Sequence, residues 1–83
     1  MSDKLFYVES PLSGTFYRSP APDEPAYVEL NQTVKPGDVV CIVESMKVFT
    51  EVRVERDGII RKILVESEEP VRMNQALFEI EAL

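Results

Sequence analysis

Apolar and polar residues alternate with a period of two over much of this 83-residue chain, which is the pattern of β-strands. Val48, Thr50, Val52 and Val54 fall on one side of such a strand, and Phe49, Glu51, Arg53 and Glu55 on the other. Residues 5–9, 14–18, 39–44, 58–66 and 76–82 are further runs rich in β-branched and aromatic side chains. Turn signals separate them: Pro36-Gly37-Asp38, Arg56-Asp57-Gly58 and Asn74-Gln75. No stretch carries the spacing of a long amphipathic helix. Many short strands with regular turns predict an all-β sandwich or flattened barrel.

Residues 39–54 form the longest stretch without a turn residue, far beyond the about five or six residues of a typical strand. The segment is therefore expected to bend, and its polar break at Glu44 to Lys47 is the place. The bend lacks Gly, Pro, Asn and Asp, so a type I turn, which tolerates most side chains, is expected there. The question this raises is chemical: an apolar Met46 and a cationic Lys47 stand together where a turn should face water.

An internal repeat locates this bend in the whole. With an offset of 37 residues, Val28-Glu29 falls on Val65-Glu66, Val34-Lys35 on Val71-Arg72, and Glu44 on Glu81. With an offset of 44, Val8 falls on Val52, Gly14 on Gly58, and Phe16-Tyr17-Arg18 on Ile60-Arg61-Lys62. The change of offset leaves seven extra residues between Arg18 and Val28, the proline-rich stretch around 19–26. That stretch is expected to protrude as a stiff loop with no counterpart in the second half. Two similar halves imply quasi-two-fold symmetry. The halves join near Ser45 to Val48, and the symmetric counterpart of the join is the meeting of the chain ends near Asp3 and Leu83. Lys47 is expected at the pole opposite the termini.

Composition then removes function classes. The net charge is −6, with 9 Lys and Arg against 15 Asp and Glu, so the surface repels phosphate backbones and nucleic acid is not an expected partner. The longest purely apolar run is only residues 39–43, far short of a membrane span, so no membrane is expected either. The chain has no histidine, which removes Ser-His and Cys-His nucleophilic pairs and most zinc sites. The single cysteine, Cys41, lies in the apolar run and reads as a core residue in a protein of a reducing compartment. Glu66, Glu68 and Glu69 lack the Asp, Asn and Gly spacing of a hard-cation loop and read as a solvated turn. No metal site is expected. What remains is Lys47. Most lysines are simply solvated, but this one offers an accessible amine for covalent acylation, with Met46 as an apolar contact that a modifying enzyme can read.

The stretch CIVESMKVFTEV, from Cys41 to Val52, resembles the biotin attachment segment of biotin-dependent carboxylases, in which Glu, a small residue, Met and the modified Lys follow one another. The resemblance extends over roughly residues 6–83. It is strongest to the biotinyl domain of the carrier subunit of bacterial and plastid acetyl-CoA carboxylases, through SPLSGTFYRSPAPDEPAYVELNQTVKPGDVVCIVESMK and GIIRKILVESEEPV. It implies a single domain over 1–83, with two four-stranded antiparallel sheets in a flattened, quasi-symmetric barrel. It also implies a thumb at about 19–26 and a biotinylation hairpin at about 39–55. By position, Lys47 is the biotinylated residue, Glu44 and Met46 are part of what biotin protein ligase reads, and Ser19 stands in the thumb where that family often has threonine near the biotin ring. Ser45 stands where the family often has alanine, and Val48 where it often has a second methionine. The resemblance further implies covalent biotin as cofactor and a non-catalytic carrier that moves a carboxyl group from biotin carboxylase to carboxyltransferase for malonyl-CoA formation. It places the protein in the bacterial cytoplasm or the plastid stroma. Two alternatives stand beside it: a lipoyl domain, whose lysine usually follows an acidic residue where Met46 stands, and an unmodified β-domain used only for protein contacts.

Overall fold

A computed structural model describes residues 4–83. Eight strands run in the order β1 (Leu5–Glu9), β2 (Gly14–Tyr17), β3 (Thr33–Val34), β4 (Val39–Ser45), β5 (Val48–Arg53), β6 (Gly58–Ile63), β7 (Pro70–Val71) and β8 (Ala76–Ala82). They make two four-stranded sheets, β1-β8-β6-β3 and β5-β4-β2-β7, with every pairing antiparallel. The six longer runs expected from sequence are all strands, although β6 stops at Ile63, short of the expected 66. The two short strands escape pattern reading because each contributes one inward side chain, Val34 or Val71.

The core lies between the sheets. Phe16, Val34, Val40, Cys41, Val43, Ile60, Leu77, Phe78 and Ile80 are fully buried there. Phe16 of one sheet meets Phe78 of the other with ring centroids 6.0 Å apart and planes tilted by 54°, a favoured aromatic arrangement. The neighbours Val40 and Cys41 both point inward because the β4–β5 register shifts between Val39 and Cys41. Burial pushes the Cys41 thiol up to about 12, so it is an inert core group.

The repeat read from sequence recurs in the backbone. The first offset carries β3 onto β7 and β4 onto β8, and the second carries β2 onto β6 and β1 onto β5, so the operation exchanges the two sheets. Turn hydrogen bonds repeat with it. Glu29 N–H donates to Gln32 Oε1 as Glu66 N–H donates to Glu69 Oε1, and Lys35 N–H to Asp38 Oδ2 as Arg72 N–H to Gln75 Oε1. Between elements, Asn31 N–H donates to Ile60 O at 2.7 Å, and its image, Glu68 N–H, to Phe16 O at 2.6 Å. The left-handed residues match too: Asn31 (φ 68°) with Glu68 (φ 74°), and Gly37 (φ 91°) with Asn74 (φ 70°).

That last correspondence yields a prediction. Asn and Gly tolerate the left-handed region, whereas Glu68 adopts it only at a cost in strain. Glu68→Gly is expected to stabilise the fold by about 0.5 kcal/mol, the relief of strain exceeding the entropy lost. A urea midpoint at or below that of the unaltered protein would contradict it.

The strand pairing carries the C-terminal end away from the tip. From Val48, β5 runs away from the tip for six residues, and residues 54–57 then deliver the chain to Gly58, which pairs with Ala82. The C-terminal end therefore sits roughly 20 Å from the tip at the usual rise per strand residue. Asp3, named as the other end of the symmetric join, lies outside the described residues.

Candidate functional site

The hairpin β4–β5 closes on the pair Ser45 and Val48, with Met46 and Lys47 as the two loop residues. Both have positive φ, 53° and 65°. This corrects the expected type I turn. Two-residue hairpin loops favour left-handed central residues because their twist matches that of the strands, and such loops usually carry Asn-Gly. Here two unbranched side chains with no αL preference hold the geometry, each at a cost of about 1 kcal/mol or more. The flanking ladder, from Glu44 opposite Phe49 down to Val39 opposite Arg53, imposes the turn that its own residues do not favour.

The consequence is display. Met46 is 92% exposed, the most exposed large hydrophobic side chain among the described residues, and Lys47 is exposed beside it. Val48 is 64% and Phe49 61% exposed, so the inward alternation expected from Val48 onward begins only at half-buried Thr50.

One face of the hairpin continues into a second feature. Cys41 and Val43 point into the core, and Ile42 and Glu44 therefore belong to the outer face of the sheet. There the Tyr17 hydroxyl donates to Glu44 Oε1 at 3.2 Å, and the Tyr17 and Phe49 rings lie 6.4 Å apart, tilted by 44°. Burial, then the hydrogen bond to Glu44 and the charges of Glu44 and Glu68, push the Tyr17 phenol above its ordinary value.

The extra segment of the first half lies over this face. Its base is tied by Tyr27 N–H donating to Arg18 O at 2.8 Å and by Arg18 Nη2 donating to Val28 O at 3.1 Å. Ser19, Pro20, Ala21 and Pro22 form one wall of a cavity of about 310 Å³, and Tyr17, Ile42 and Phe49 form another. The Ser19 hydroxyl donates to Ala21 O at 2.8 Å, which shapes the segment locally. The fold thus gathers Glu44, Met46 and Lys47 at the tip and brings Ser19 to the same face.

Sequence reading missed Tyr17, Ile42 and Phe49 as members of this site. Phe49 carried a usable signal, an aromatic residue among Glu51, Arg53 and Glu55 on the polar side of its strand. Ile42 carried none, because a run of apolar residues does not reveal which of them leaves the core.

Comparisons with known proteins bear on the chain as a whole. The family model described as "Biotin-requiring enzyme", of the biotin and lipoyl type, matches residues 7–80. A biotin carboxyl carrier protein of acetyl-CoA carboxylase from Pseudomonas aeruginosa is 48% identical over 73 residues, covering 88% of this chain and 47% of that protein. The protein of the same name from Nostoc sp. is 44% identical over 80 residues, covering 96% and 44%. A chloroplastic counterpart from Arabidopsis thaliana is 44% identical over 73 residues, covering 88% and 29%. The chain thus spans less than half the length of these relatives. Among solved structures, a putative succinylglutamate desuccinylase/aspartoacylase family protein from Shewanella amazonensis superposes with a TM-score of 0.73 over 96% of this chain and 21% of its own, at 13% identity. At that identity the likeness concerns the fold alone.

Proposed function

We propose a function that proceeds from one premise: the chain belongs to the biotin-requiring enzyme family. On it, the chain is the biotin carrier of an acetyl-CoA carboxylase, a single domain over residues 1–83 that is acylated at Lys47 and catalyses nothing itself. The observation that carries the reading is the tip, a lysine and a methionine held in display by a strained two-residue turn. The names of the relatives support biotin over lipoyl attachment, as does Met46 where a lipoyl domain usually has an acidic residue.

The residues fit the group. Lys47 supplies an accessible amine on a flexible stem, and the cavity beside the hairpin has the size and largely apolar lining of a small-ligand site. In the site of biotin protein ligase, the Lys47 nitrogen attacks the activated carboxyl carbon of biotin, a C–N bond forms, the activating group departs and the amine loses a proton. Met46 gives the ligase an apolar contact, and Glu44 gives it a charge at a fixed register. Once attached, biotin supplies a nitrogen that carries a carboxyl group from biotin carboxylase to carboxyltransferase, for malonyl-CoA formation from acetyl-CoA. The tether holds the amine-linked group at high effective concentration near each partner. Residues 19–26 act as the thumb, with Ser19 at the group's edge. The cytoplasm or the plastid stroma is the proposed location, matching bacterial and chloroplastic relatives.

Deleting residues 20–26 tests the thumb, because the second half of the molecule makes the same crossing without them. Uncovering Ile42 costs about 1 kcal/mol, which lowers the melting temperature by roughly 4–8 °C. The deleted form is expected to accept biotin yet slow malonyl-CoA formation when reconstituted with biotin carboxylase and carboxyltransferase. Global unfolding, or unchanged turnover, would count against the assignment.

A further inference from the structure

The internal symmetry supplies a control that a single site lacks. The position of Tyr17 in the first half is that of Arg61 in the second, and the position of Glu44 is that of Glu81. The β2–β4 register of Thr15 with Glu44 and Phe16 with Val43 recurs in β6–β8 as Ile59 with Glu81 and Ile60 with Ile80. At both places the first residue's side chain donates to the glutamate's Oε1. Tyr17 does so through its hydroxyl at 3.2 Å, and Arg61 through Nε at 2.7 Å.

The two donors differ in charge. Arg61 and Glu81 form an ion pair, and the guanidinium holds the Glu81 carboxyl below its ordinary value, first by the hydrogen bond and then by its charge. Tyr17 orients Glu44 but neutralises nothing, and no ion pair among the described residues includes Glu44. The half without an acylated tip thus closes this position with a compensated pair. The half with the tip closes it with a neutral donor and leaves the Glu44 carboxyl group, three residues before Lys47, without a cationic partner among the described residues. The Tyr17 ring packs against Phe49 and the cavity under residues 19–22, but that packing needs only the ring and does not account for the hydroxyl held on Glu44.

We propose that Tyr17 is a positioning residue for acylation of Lys47: its hydroxyl fixes the Glu44 carboxylate on the outer face of the sheet while leaving its charge available to the acylating enzyme. This rests on the reading of Lys47 and Glu44 given above. It assigns Tyr17 a role in recognition during acylation, separate from its place in the cavity wall.

The test is steady-state acylation by biotin protein ligase with biotin and ATP, run on Tyr17→Phe, Tyr17→Arg, Glu44→Gln and the Tyr17→Phe/Glu44→Gln double variant, with melting curves for each. Tyr17→Phe keeps the ring beside Phe49 and is expected to raise KM for the chain roughly fivefold with kcat unchanged. In the Glu44→Gln background the same change is expected to add nothing, since Tyr17 acts through that carboxylate. Tyr17→Arg imports the pair of the other half at the loss of the ring beside Phe49, so its melting temperature is expected somewhat below the original with the fold kept, while its KM rises more than that of Tyr17→Phe. A Tyr17→Phe variant with unaltered KM, or one whose effect adds in full to that of Glu44→Gln, overturns the proposal. If the unaltered chain is biotinylated and these results fail, only the role of Tyr17 falls. If the unaltered chain accepts no biotin, the reading of Lys47 falls and this proposal with it.

Discussion

Lys47→Arg is expected to abolish incorporation of biotin while leaving the fold intact. Arginine keeps the cation, the unbranched stem and tolerance of the surface, but its guanidinium stays protonated and does not attack an acyl carbon. Lys47 is exposed and lies outside the core, so the substitution is expected to move stability by no more than about 0.5 kcal/mol. The tip has no second amine: its neighbours are Ser45, Met46, Val48 and Phe49. Incorporation is therefore expected to drop at least a hundredfold, an effect on chemistry with none on melting. Biotin appearing on another lysine of the Lys47→Arg protein would show that the attachment site has been misplaced.

The second large effect concerns stability, and symmetry again provides its control. Gly14 lies where β2 passes the end of β4, and a Cβ there would overlap the Glu44 carbonyl group, lying 3.0 Å from its carbon and 3.1 Å from Val43 Cγ1. The obstacle is mainly backbone, so it does not yield as a flexible side chain would. Gly14→Ala is expected to cost about 2 kcal/mol. For a domain of this size that lowers the melting temperature by roughly 8–16 °C. Its image, Gly58, meets the same obstacle in the other sheet, with the Cβ 2.9 Å from Glu81 O and against Ile80 Cγ2. Gly58→Ala is expected to destabilise similarly. The two variants should part in function: Gly14→Ala displaces Glu44 and slows acylation of the folded protein, whereas Gly58→Ala displaces Glu81 and does not. Equal acylation rates for both, measured well below their melting temperatures, would separate the recognition surface from Glu44.

Much of this architecture is legible in the sequence. The period of two along residues 48–55 and the turn signals at Pro36-Gly37-Asp38 and Asn74-Gln75 mark strands, because one buried face and one wet face force that alternation. The repeat is legible because matched turns need matched residues, such as Gly37 and Asn74 at left-handed positions. The turn type at Met46 and Lys47 is not legible, since strand pairing on both sides imposes a conformation the local residues disfavour. The outer shelf of Tyr17, Ile42 and Phe49 is hidden for a different reason. It forms between strands and a loop that are distant in sequence, and nothing in an apolar run distinguishes a residue facing the core from one facing a loop. Lys47 stands out only through its company, Glu44, Ser45 and Met46, a run that resembles a biotin attachment segment and that no folding requirement explains.

Intact mass after co-expression with biotin protein ligase tests the central claim most directly. The account predicts that the chain gains the mass of one biotinyl group and that peptide mapping places it on Lys47. An unchanged mass, the mass of a lipoyl group, or biotin mapped to any other residue would contradict it.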